Sequence, residues 1–477
     1  MVPTTERRGG RLERVLRSAG TRPGRLRILM ALTLLTTVVT FSSGTLAIVT
    51  AERGLETIGA EAGPQVVATA DLYFALSDMD TQVASVLLMG NDHDLGIGRA
   101  DAIERYEARR KQANRALVEA TDLAGEDRIA RDMIRAMLNG LGEYERLSSN
   151  AMLQSERADH APGATPEPVL ELYRQAYEVM KFELLPNAYN LTLENGTIVR
   201  HTEEQTSQQL GTLRMMFAIG GTALVVVLIG TQVYLSVRFR RTLNPALVLA
   251  TAGVFVVTLA GVFVMTRTDT ELATAKRDGF DSILAMSRTR AISNSMQADQ
   301  SRYLLDADQA DTYEQTFLEK SQTVLYKESA NLDIYRNAVD LAVEAFGKEG
   351  NGGGTPFLGF FGDEVTSISV PGQRQALVSA LQRYEVFQNA DGEMRALADA
   401  GQERAAIGMR VNRSDEAFGA YDRATKDLIA LHSEAFDQSI EHGRNAIAGW
   451  RFVLPVTAGV VVLLVLFGVR QRLAEYR

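Results

Sequence analysis

Four long apolar runs constrain the fold of this 477-residue chain more than any other feature. Each run has about 18 to 23 residues with almost no charge, close to the roughly 20 residues that an α-helix needs to cross a bilayer. The runs predict four transmembrane helices at 28–49, 215–237, 246–266 and 450–469. Because the segment 238–245 between the second and third is too short for a folded domain, the chain is predicted to be a multi-pass membrane protein.

Arginine residues determine the predicted orientation. Eight lie in residues 1–27, three in 238–245 and three in 470–477. Short basic segments stay on the cytoplasmic side, so both termini and the middle loop are predicted to be cytoplasmic. The long segments 50–214 and 267–449 are then extracytoplasmic, and the location is the plasma membrane of a bacterium.

The arginine-rich start has two alternative interpretations. It could be a nucleic-acid-binding arm, or the first part of a cleaved signal peptide. The apolar run behind it is longer than the usual stretch of about 7–15 residues in a signal peptide, and no small-residue cleavage site follows. These observations favour an uncleaved first transmembrane helix.

The composition of the two long segments excludes nucleic acid as their partner. Residues 51–214 contain 27 acidic and 16 basic side chains, and residues 267–448 contain 29 and 19. A phosphate backbone needs the opposite sign of charge. The chain has no cysteine, so the exported segments must be held by core packing rather than by disulfides. Seven lysines against 43 arginines are typical of a GC-rich bacterial genome.

The two long segments resemble each other at three places. "ASVLLMGND" resembles "SRYLLDAD", "AMLNGLGEYE" resembles "ALVSALQRYE", and "AYNLTLENG" resembles "AFDQSIEHG". The order of span, long segment and span is also repeated. The sequence therefore predicts an internal duplication.

Each long segment is predicted to be a bundle of four helices. Leu72, Leu76, Met79 and Val83 step by four and three, which is the spacing of a helix seam. Breaks are expected at "GNDHDLG" and "DHAPGATPEPV", where Gly and Pro cluster. The second segment has one longer interruption, 347–372, in which "EVTSISV" is the one stretch with the alternation of a strand. The predicted fold class is an all-α membrane protein with four transmembrane helices and two tandem extracytoplasmic four-helix bundles.

Motifs that carry chemistry are missing from the sequence. There is no nucleophile elbow, no phosphate-binding loop, no HExxH and no pair of histidines at helical spacing. "NDHD" at 91–94 offers ligands to a cation, although a polar loop tip explains it equally well. We therefore expect that the chain is not an enzyme and that it uses neither a cofactor nor a metal ion.

One polar stripe suggests a ligand site in the second bundle. Ser287, Asn294 and Ser301 occupy the same heptad position on its first helix, and Arg288 and Arg290 flank the stripe. These residues could line a ligand cavity. Alternatively, they are small side chains that pack tightly, with their hydroxyl groups bonded to the backbone.

Small and hydroxyl residues form faces on two predicted spans. The positions are Thr33, Thr36, Thr37 and Thr40 on the first span, and Gly253 and Gly261 two turns apart on the third. Such residues allow membrane helices to approach closely. They predict either structural packing or an interface that changes during signalling.

The layout resembles that of the GlnX family of actinobacterial membrane proteins. The shared features are tandem ectodomains between arginine-flanked spans, the stub "VRFRRTLNP" and the arginine-rich start. The resemblance implies a protein that links an extracytoplasmic solute-binding lipoprotein, for glutamate or aspartate, to a cytosolic serine/threonine kinase of the PknG type. It carries over no individual functional residue.

The short cytoplasmic segments imply that the signal is passed on to a partner. Contacts with a cytosolic kinase are predicted at the basic side chains Arg7, Arg8, Arg11, Arg238, Arg240 and Arg241. Homodimer formation is left open. The alternative function is a non-signalling envelope scaffold or an accessory subunit of a transport or secretion assembly. A transporter is disfavoured because the four apolar runs, the last counted from Phe452, contain no Asp, Glu, Lys or Arg.

Overall fold

The predicted all-α fold is confirmed. The computed structural model describes residues 22–93, 95–96, 98–123, 128–239, 244–348 and 357–473. Within these ranges the chain is helical and forms no β-strand, and an isolated bridge joins Tyr326 and Leu358. Four helices are long and apolar enough to cross a membrane. The chain is thus an all-α membrane protein.

The described part of the first half of the chain contains six α-helices. They are α1 (Arg22–Glu56), α2 (Gly63–Met89), α3 (Arg99–Leu123), α4 (Arg128–Ala158), α5 (Glu167–Val179) and α6 (Leu185–Phe239). The first π turn, Thr57–Ala62, joins α1 to α2, and the second π turn, Met180–Leu184, joins α5 to α6. Single π-helical turns inside α-helices are often found at functional sites.

The second half repeats this order with more interruptions. Its helices are α7 (Pro245–Thr274), α8 (Asp281–Leu305), α9 (Ala310–Val324), α10 (Leu332–Lys348), α11 (Phe360–Thr366), α12 (Gln373–Asp399), α13 (Glu403–Met409), α14 (Asp415–Ile447) and α15 (Trp450–Leu473). The third π turn, Ala275–Phe280, joins α7 to α8, and the fourth, Arg410–Ser414, joins α13 to α14.

The helices form two compact units. The span unit comprises Met1–Ile58, His201–Ala273 and Ser439–Arg477, and the bundle unit comprises Gly59–Arg200 and Thr274–Gln438. Both long segments of the sequence therefore contribute to a single compact unit. The prediction of two bundles did not include the contact between them.

Phe217 of α6 is fully buried in the span unit, between α1 and α7. A Cβ atom added to Gly44 of α1 would lie 2.8 Å from the Phe217 ring, and one added to Gly261 of α7 would lie 2.7 Å from it. Phe41 meets the same ring edge-on with centroids 6.5 Å apart. Glycine at these positions thus allows α1 and α7 to approach α6 closely, as small residues do in membrane helices.

The first half of the bundle unit is a four-helix bundle, as predicted. Its core contains Leu76 and Val83 from α2, Leu117 from α3, Met137 from α4 and Tyr173 from α5. The chain leaves helical structure after Met89 and again at 159–166, where the sequence predicted breaks. Glycines with positive φ, at 90 and 163, make these turns possible.

The second half has an aromatic core. Phe317, Tyr335, Phe361, Tyr384 and Phe387 are fully buried and come from α9, α10, α11 and α12. Where the first half has the single helix α3, the second half has two shorter helices, α9 and α10. The core is completed by α11, which lies in the long interruption and inserts its first turn among the other helices.

The strand-like alternation of "EVTSISV" does not lead to a strand. Its first three residues, 364–366, end α11, and the rest forms turns and irregular structure. The physical reason is that the Glu364 side chain is buried and accepts a hydrogen bond from Gln373 Nε2 at 2.7 Å. This contact holds the segment against α12, and no neighbouring strand is available within the described residues.

Equivalent residues of the two halves occupy equivalent core positions. Leu141 and Tyr144 of α4 match Leu381 and Tyr384 of α12 in the aligned stretches, and all four are at most 2% exposed. Such a match is expected if one four-helix plan was duplicated.

The two halves meet through α2 and α8. The Ser77 hydroxyl donates a hydrogen bond to the carbonyl of Ala291 at 3.4 Å, and Thr81 donates to the carbonyl of Asn294 at 3.2 Å. Because each helix lies between its own bundle and the other helix, residues 74–89 and 293–302 are buried on every side. These same helices continue, through the first and third π turns, from α1 and α7.

Candidate ligand site between α2 and α8

Arg302 is a deeply buried cation in this contact. It extends from α8, is 2% exposed, and donates hydrogen bonds to Asp80 of α2 and to Asp299 of its own helix. Its guanidinium group lies 3.9 Å from the ring centroid of Tyr177, and its Nε donates to the Tyr173 hydroxyl at 3.2 Å. Removing one partner of a buried ion pair is strongly destabilising, by about 3–5 kcal/mol. Arg302 therefore ties α8 to α2 and α5.

Tyrosine hydroxyls complete the coordination of Asp80. Tyr144 and Tyr173 each donate to its Oδ1 at 3.4 Å. Burial raises the pKa of both tyrosines well above the ordinary value, and the nearby Asp80 charge adds to the effect. Burial alone would lower the pKa of Arg302, but the surrounding tyrosines and carboxylates hold it well above its usual range. The tyrosines thus stay protonated and Arg302 stays charged at neutral pH.

A cavity of about 250 Å³ opens beside this cluster. It is lined by residues of both halves of the bundle unit: Tyr73, Ser77, Asp80, Tyr177, Lys181, Leu185, Pro186, Tyr189, Ser295, Arg302, Thr316 and Lys320. Pockets for drug-sized ligands occupy roughly 300–1,000 Å³. The smaller volume fits a solute of the size of a single amino acid.

The charges around the cavity are mixed and carry a net positive charge. Lys320 of α9 donates to Asp299 Oδ2 at 2.6 Å, and its pKa is lowered because burial disfavours the charged amine. Lys181 is exposed at the mouth, with its Nζ 5.6 Å from the Tyr177 ring centroid. When Lys320 is protonated in its ion pair with Asp299, three cationic groups face the two carboxylates of Asp80 and Asp299. The three groups are Lys181, Lys320 and Arg302. Such a lining can hold carboxylates at the lysines and an ammonium group against tyrosine faces.

The second π turn forms part of this site. Lys181 belongs to that turn, and the lining residues Leu185 and Pro186 follow it directly. The wider turn changes the angular position of the residues after it by comparison with a regular α-helix. As a result, Tyr177 before the turn and Leu185 and Pro186 after it all line the cavity.

The predicted polar stripe lies in the same helix contact but does not line this cavity. Asn294 is 1% exposed, and its Nδ2 has no hydrogen-bond partner among the described residues. Ser301 is fully buried, also with an unpartnered hydroxyl, and Ser287 is half-buried. Their ligand-binding role stays a prediction.

The two flanking arginines have different environments. Arg290 is buried, 3.6 Å from the Phe74 ring centroid, and forms ion pairs with Asp422 at 2.5 Å and with Asp71 at 3.6 Å. Arg288 lies 5.0 Å from the Tyr189 ring centroid, and its Nε and Nη2 are buried without a partner in the described part of the chain. Burial lowers the pKa of Arg288. Tyr189 also lines the cavity, so Arg288 contacts one of the lining residues.

The predicted packing residues of the spans differ in their contacts. Thr33, Thr37 and Thr40 are at most 1% exposed, whereas Thr36 is half-buried. A Cβ added to Gly220 of α6 would lie 2.6 Å from the Thr40 hydroxyl, which shows a close approach of α1 and α6.

The two glycines of the third span are not equivalent. Gly261 packs against Phe217, as described above. No atom outside its own helix lies within 4 Å of a Cβ added to Gly253, so Gly253 makes no close contact within the described chain.

The predicted cytoplasmic contacts lie almost entirely outside the described residues. This applies to Arg7, Arg8, Arg11, Arg240 and Arg241. Arg238 lies in the last turn of α6. Their contact with a partner stays a prediction.

Sequence reasoning missed the residues that form the buried cluster. Asp80 and Arg302 are separated by 222 positions, and each looks like one of many surface charges in the sequence. His432 was counted among scattered histidines, but it is fully buried, with Nε2 2.5 Å from Glu364 and Nδ1 2.7 Å from the Asp278 carbonyl. No sequence pattern indicated this pair, because "SRYLLDAD", which contains Arg302, resembles "ASVLLMGND", which does not contain Asp80.

Comparison with known proteins gives one finding. Residues 54–204 match the family model of the actinobacterial sensor domain. The matched range covers the first four-helix bundle, including Asp80, Tyr144 and Tyr177. No curated protein and no solved structure matches the chain. The match supports a sensor protein of an actinobacterium, and thus a role in sensing.

A metal centre finds no support in the described residues. Among them, no three His, Asp or Glu side chains are grouped so that they could hold a metal ion.

Proposed function

We propose that this chain is a transmembrane sensor that binds an acidic amino acid, glutamate or aspartate, in the cavity between α2 and α8. The observation that carries the proposal is the lining of that cavity. It combines a small volume, one excess positive charge and several tyrosines at the junction of the two halves. An acidic amino acid has two carboxylates and one ammonium group, which complements this lining in size and in charge.

The solute reaches the cavity free or from a solute-binding lipoprotein, as in the GlnX-like arrangement. Binding there changes how α2 packs against α8. Because α1 continues into α2 and α7 into α8, a shift in these helices moves two spans directly. Helix displacements of about 1–2 Å are common in switching proteins. The chain itself is proposed to have no catalytic activity.

Thermal unfolding of the full chain in nanodiscs tests the ligand. We expect saturating glutamate or aspartate to raise the melting temperature, because a ligand at 100 times its Kd stabilises the folded state by about 2.7 kcal/mol. Lys320→Met should abolish the rise. Lys348→Met is the matched control, since that lysine is 72% exposed on α10. The proposal fails if neither amino acid changes the melting temperature of the parent, or if Lys320→Met keeps the full rise.

The proposed cytosolic partner is a serine/threonine kinase of the PknG type, contacted by the arginine-rich start. Attraction to anionic lipid is worth roughly 1 kcal/mol per basic residue, so a specific contact must exceed it. Replacing Arg7, Arg8 and Arg11 by lysine preserves the charge but removes the planar guanidinium fork. Cross-linking with mass spectrometry should recover a kinase with the parent and less of it with the triple variant. Recovery of no cytosolic protein with the parent would favour the envelope scaffold.

A further inference from the structure

A second cavity, of about 520 Å³, lies elsewhere in the bundle unit. Its lining comes from α2 and α3 of the first half and from α8 and α14 of the second, together with two π turns. Residues that carry the argument are Val66, Ala116, Phe280 and Phe436 in the interior, and Glu119 and Asp437 at the rim. The volume falls within the range of roughly 300–1,000 Å³ that is typical of small-molecule sites.

The interior of this cavity is apolar. Val66, Phe280 and Phe436 are nearly fully buried, and Val67, Ile283 and Pro64 extend the same surface. A partly open apolar surface of this size favours a ligand with an apolar body, because burying apolar surface away from water is favourable. Glutamate and aspartate have no apolar body that could fill this surface. The second cavity therefore differs in chemistry from the first.

The rim of the cavity carries a net negative charge. Asp71 is 3.6 Å from Arg290, which compensates its charge. The remaining charged lining residues are Glu119 and Asp437 against Arg115, and all three are exposed. The excess of one carboxylate favours a ligand with a cationic head group and disfavours an anionic one.

Two π turns border the cavity. Gly59 belongs to the first π turn and Phe280 ends the third, and both residues are part of the lining. These turns connect α1 to α2 and α7 to α8. A molecule in the cavity thus contacts the two segments through which spans continue into the bundle unit.

We propose that this cavity is a second ligand site, which takes an amphipathic cation: an apolar chain or ring system with one amine. The apolar body fills the space between Val66, Phe280 and Phe436, and the amine lies near Glu119 and Asp437. The site is independent of the amino-acid cavity, since the two share no lining residue.

Protection of a single thiol tests this site. The chain has no cysteine, so Ala116→Cys places a unique thiol in the lining, and Ala100→Cys places one on the exposed face of the same helix. The full-length variants are reconstituted in nanodiscs and treated with N-ethylmaleimide at pH 7.5. Octylamine should slow the reaction of Ala116→Cys at least threefold and leave Ala100→Cys unchanged. Octanoate should slow neither.

Each other outcome overturns part of the proposal. Equal rates with and without octylamine at Ala116→Cys would exclude the site. Equal protection by octanoate would exclude the preference for a cation. Adding Glu119→Gln and Asp437→Asn should raise the octylamine concentration for half-protection by roughly fivefold, since exposed ion pairs are worth up to about 1 kcal/mol. An unchanged concentration would show that the acidic rim does not recognise the amine.

Discussion

At the scale of single residues, the bundle unit is organised by polar groups that are buried in pairs. Arg302 and Lys320 form a cluster with Asp80 and Asp299 in which two cations face two carboxylates. Replacing such a cluster by apolar groups often leaves stability unchanged or improves it. We infer that it is retained because it determines the register of α2 against α8, and because it supplies charged walls to a cavity.

Asn294 provides a residue-scale test of the helix contact. Its amide nitrogen is buried without a partner, and an unsatisfied buried polar group costs about 1–3 kcal/mol. Asn294→Leu is therefore expected to raise the melting temperature of the ligand-free chain by a few degrees. Asn337→Leu, on the exposed face of α10, should give no rise. A lower melting temperature for Asn294→Leu would show that the amide is satisfied by a water molecule or a solute.

The same variant also decides the predicted role of the polar stripe. If Asn294→Leu removes the stabilisation by glutamate while the fold is kept, the stripe belongs to the binding site. If the full stabilisation is kept, Asn294 only packs.

At the scale of elements, the sequence predicted the helices but not their most important contact. Apolar seams such as Leu72, Leu76, Met79 and Val83 reveal α2, and clusters of Gly and Pro reveal its end. The α2–α8 contact could not be predicted, because residues 293–302 of α8 are mostly polar and look like a solvent-exposed surface. Their burial depends on partners that lie between 91 and 222 positions away in the chain. The π turns were equally hidden, since their residues also suit a regular α-helix.

The third π turn is expected to depend on Gly279. A Cβ atom added there would lie 2.6 Å from Cβ and 2.9 Å from Cα of Phe436 on α14. The backbone of α14 cannot yield without disturbing its packing, so Gly279→Ala should destabilise the chain by about 1–3 kcal/mol. Gly142→Ala is the control, because Gly142 is exposed in α4 with nothing within 4 Å.

The two substitutions should act in opposite directions. Alanine stabilises an exposed helix interior by about 1 kcal/mol relative to glycine, so thermal unfolding should show a rise for Gly142→Ala and a fall for Gly279→Ala. A rise for both would mean that the π turn has room for a side chain.

At the scale of the whole molecule, the proposed sensing requires that segments 50–214 and 267–449 lie outside the cell. The positive-inside rule predicts that residue 240 is cytoplasmic and that residue 158 is outside. Ala158→Cys is suitable for labelling because it is exposed at the end of α4, whereas the neighbouring His160 is buried. A membrane-impermeant maleimide on intact cells should label Ala158→Cys and leave Arg240→Cys unlabelled until the cells are permeabilised. Labelling of Arg240→Cys in intact cells would reverse the topology.

The central claim is that a ligand between α2 and α8 moves the spans that continue from these helices. The most direct test is the distance between spin labels at positions 32 and 249, which are exposed leucines on α1 and α7 near their predicted cytoplasmic ends. Measured by pulsed electron resonance in nanodiscs, the mean distance should change by about 1–2 Å with saturating glutamate. The same labels in Lys320→Met should show no change. Identical distance distributions with and without glutamate, in a sample whose melting temperature shows that glutamate is bound, would contradict the account.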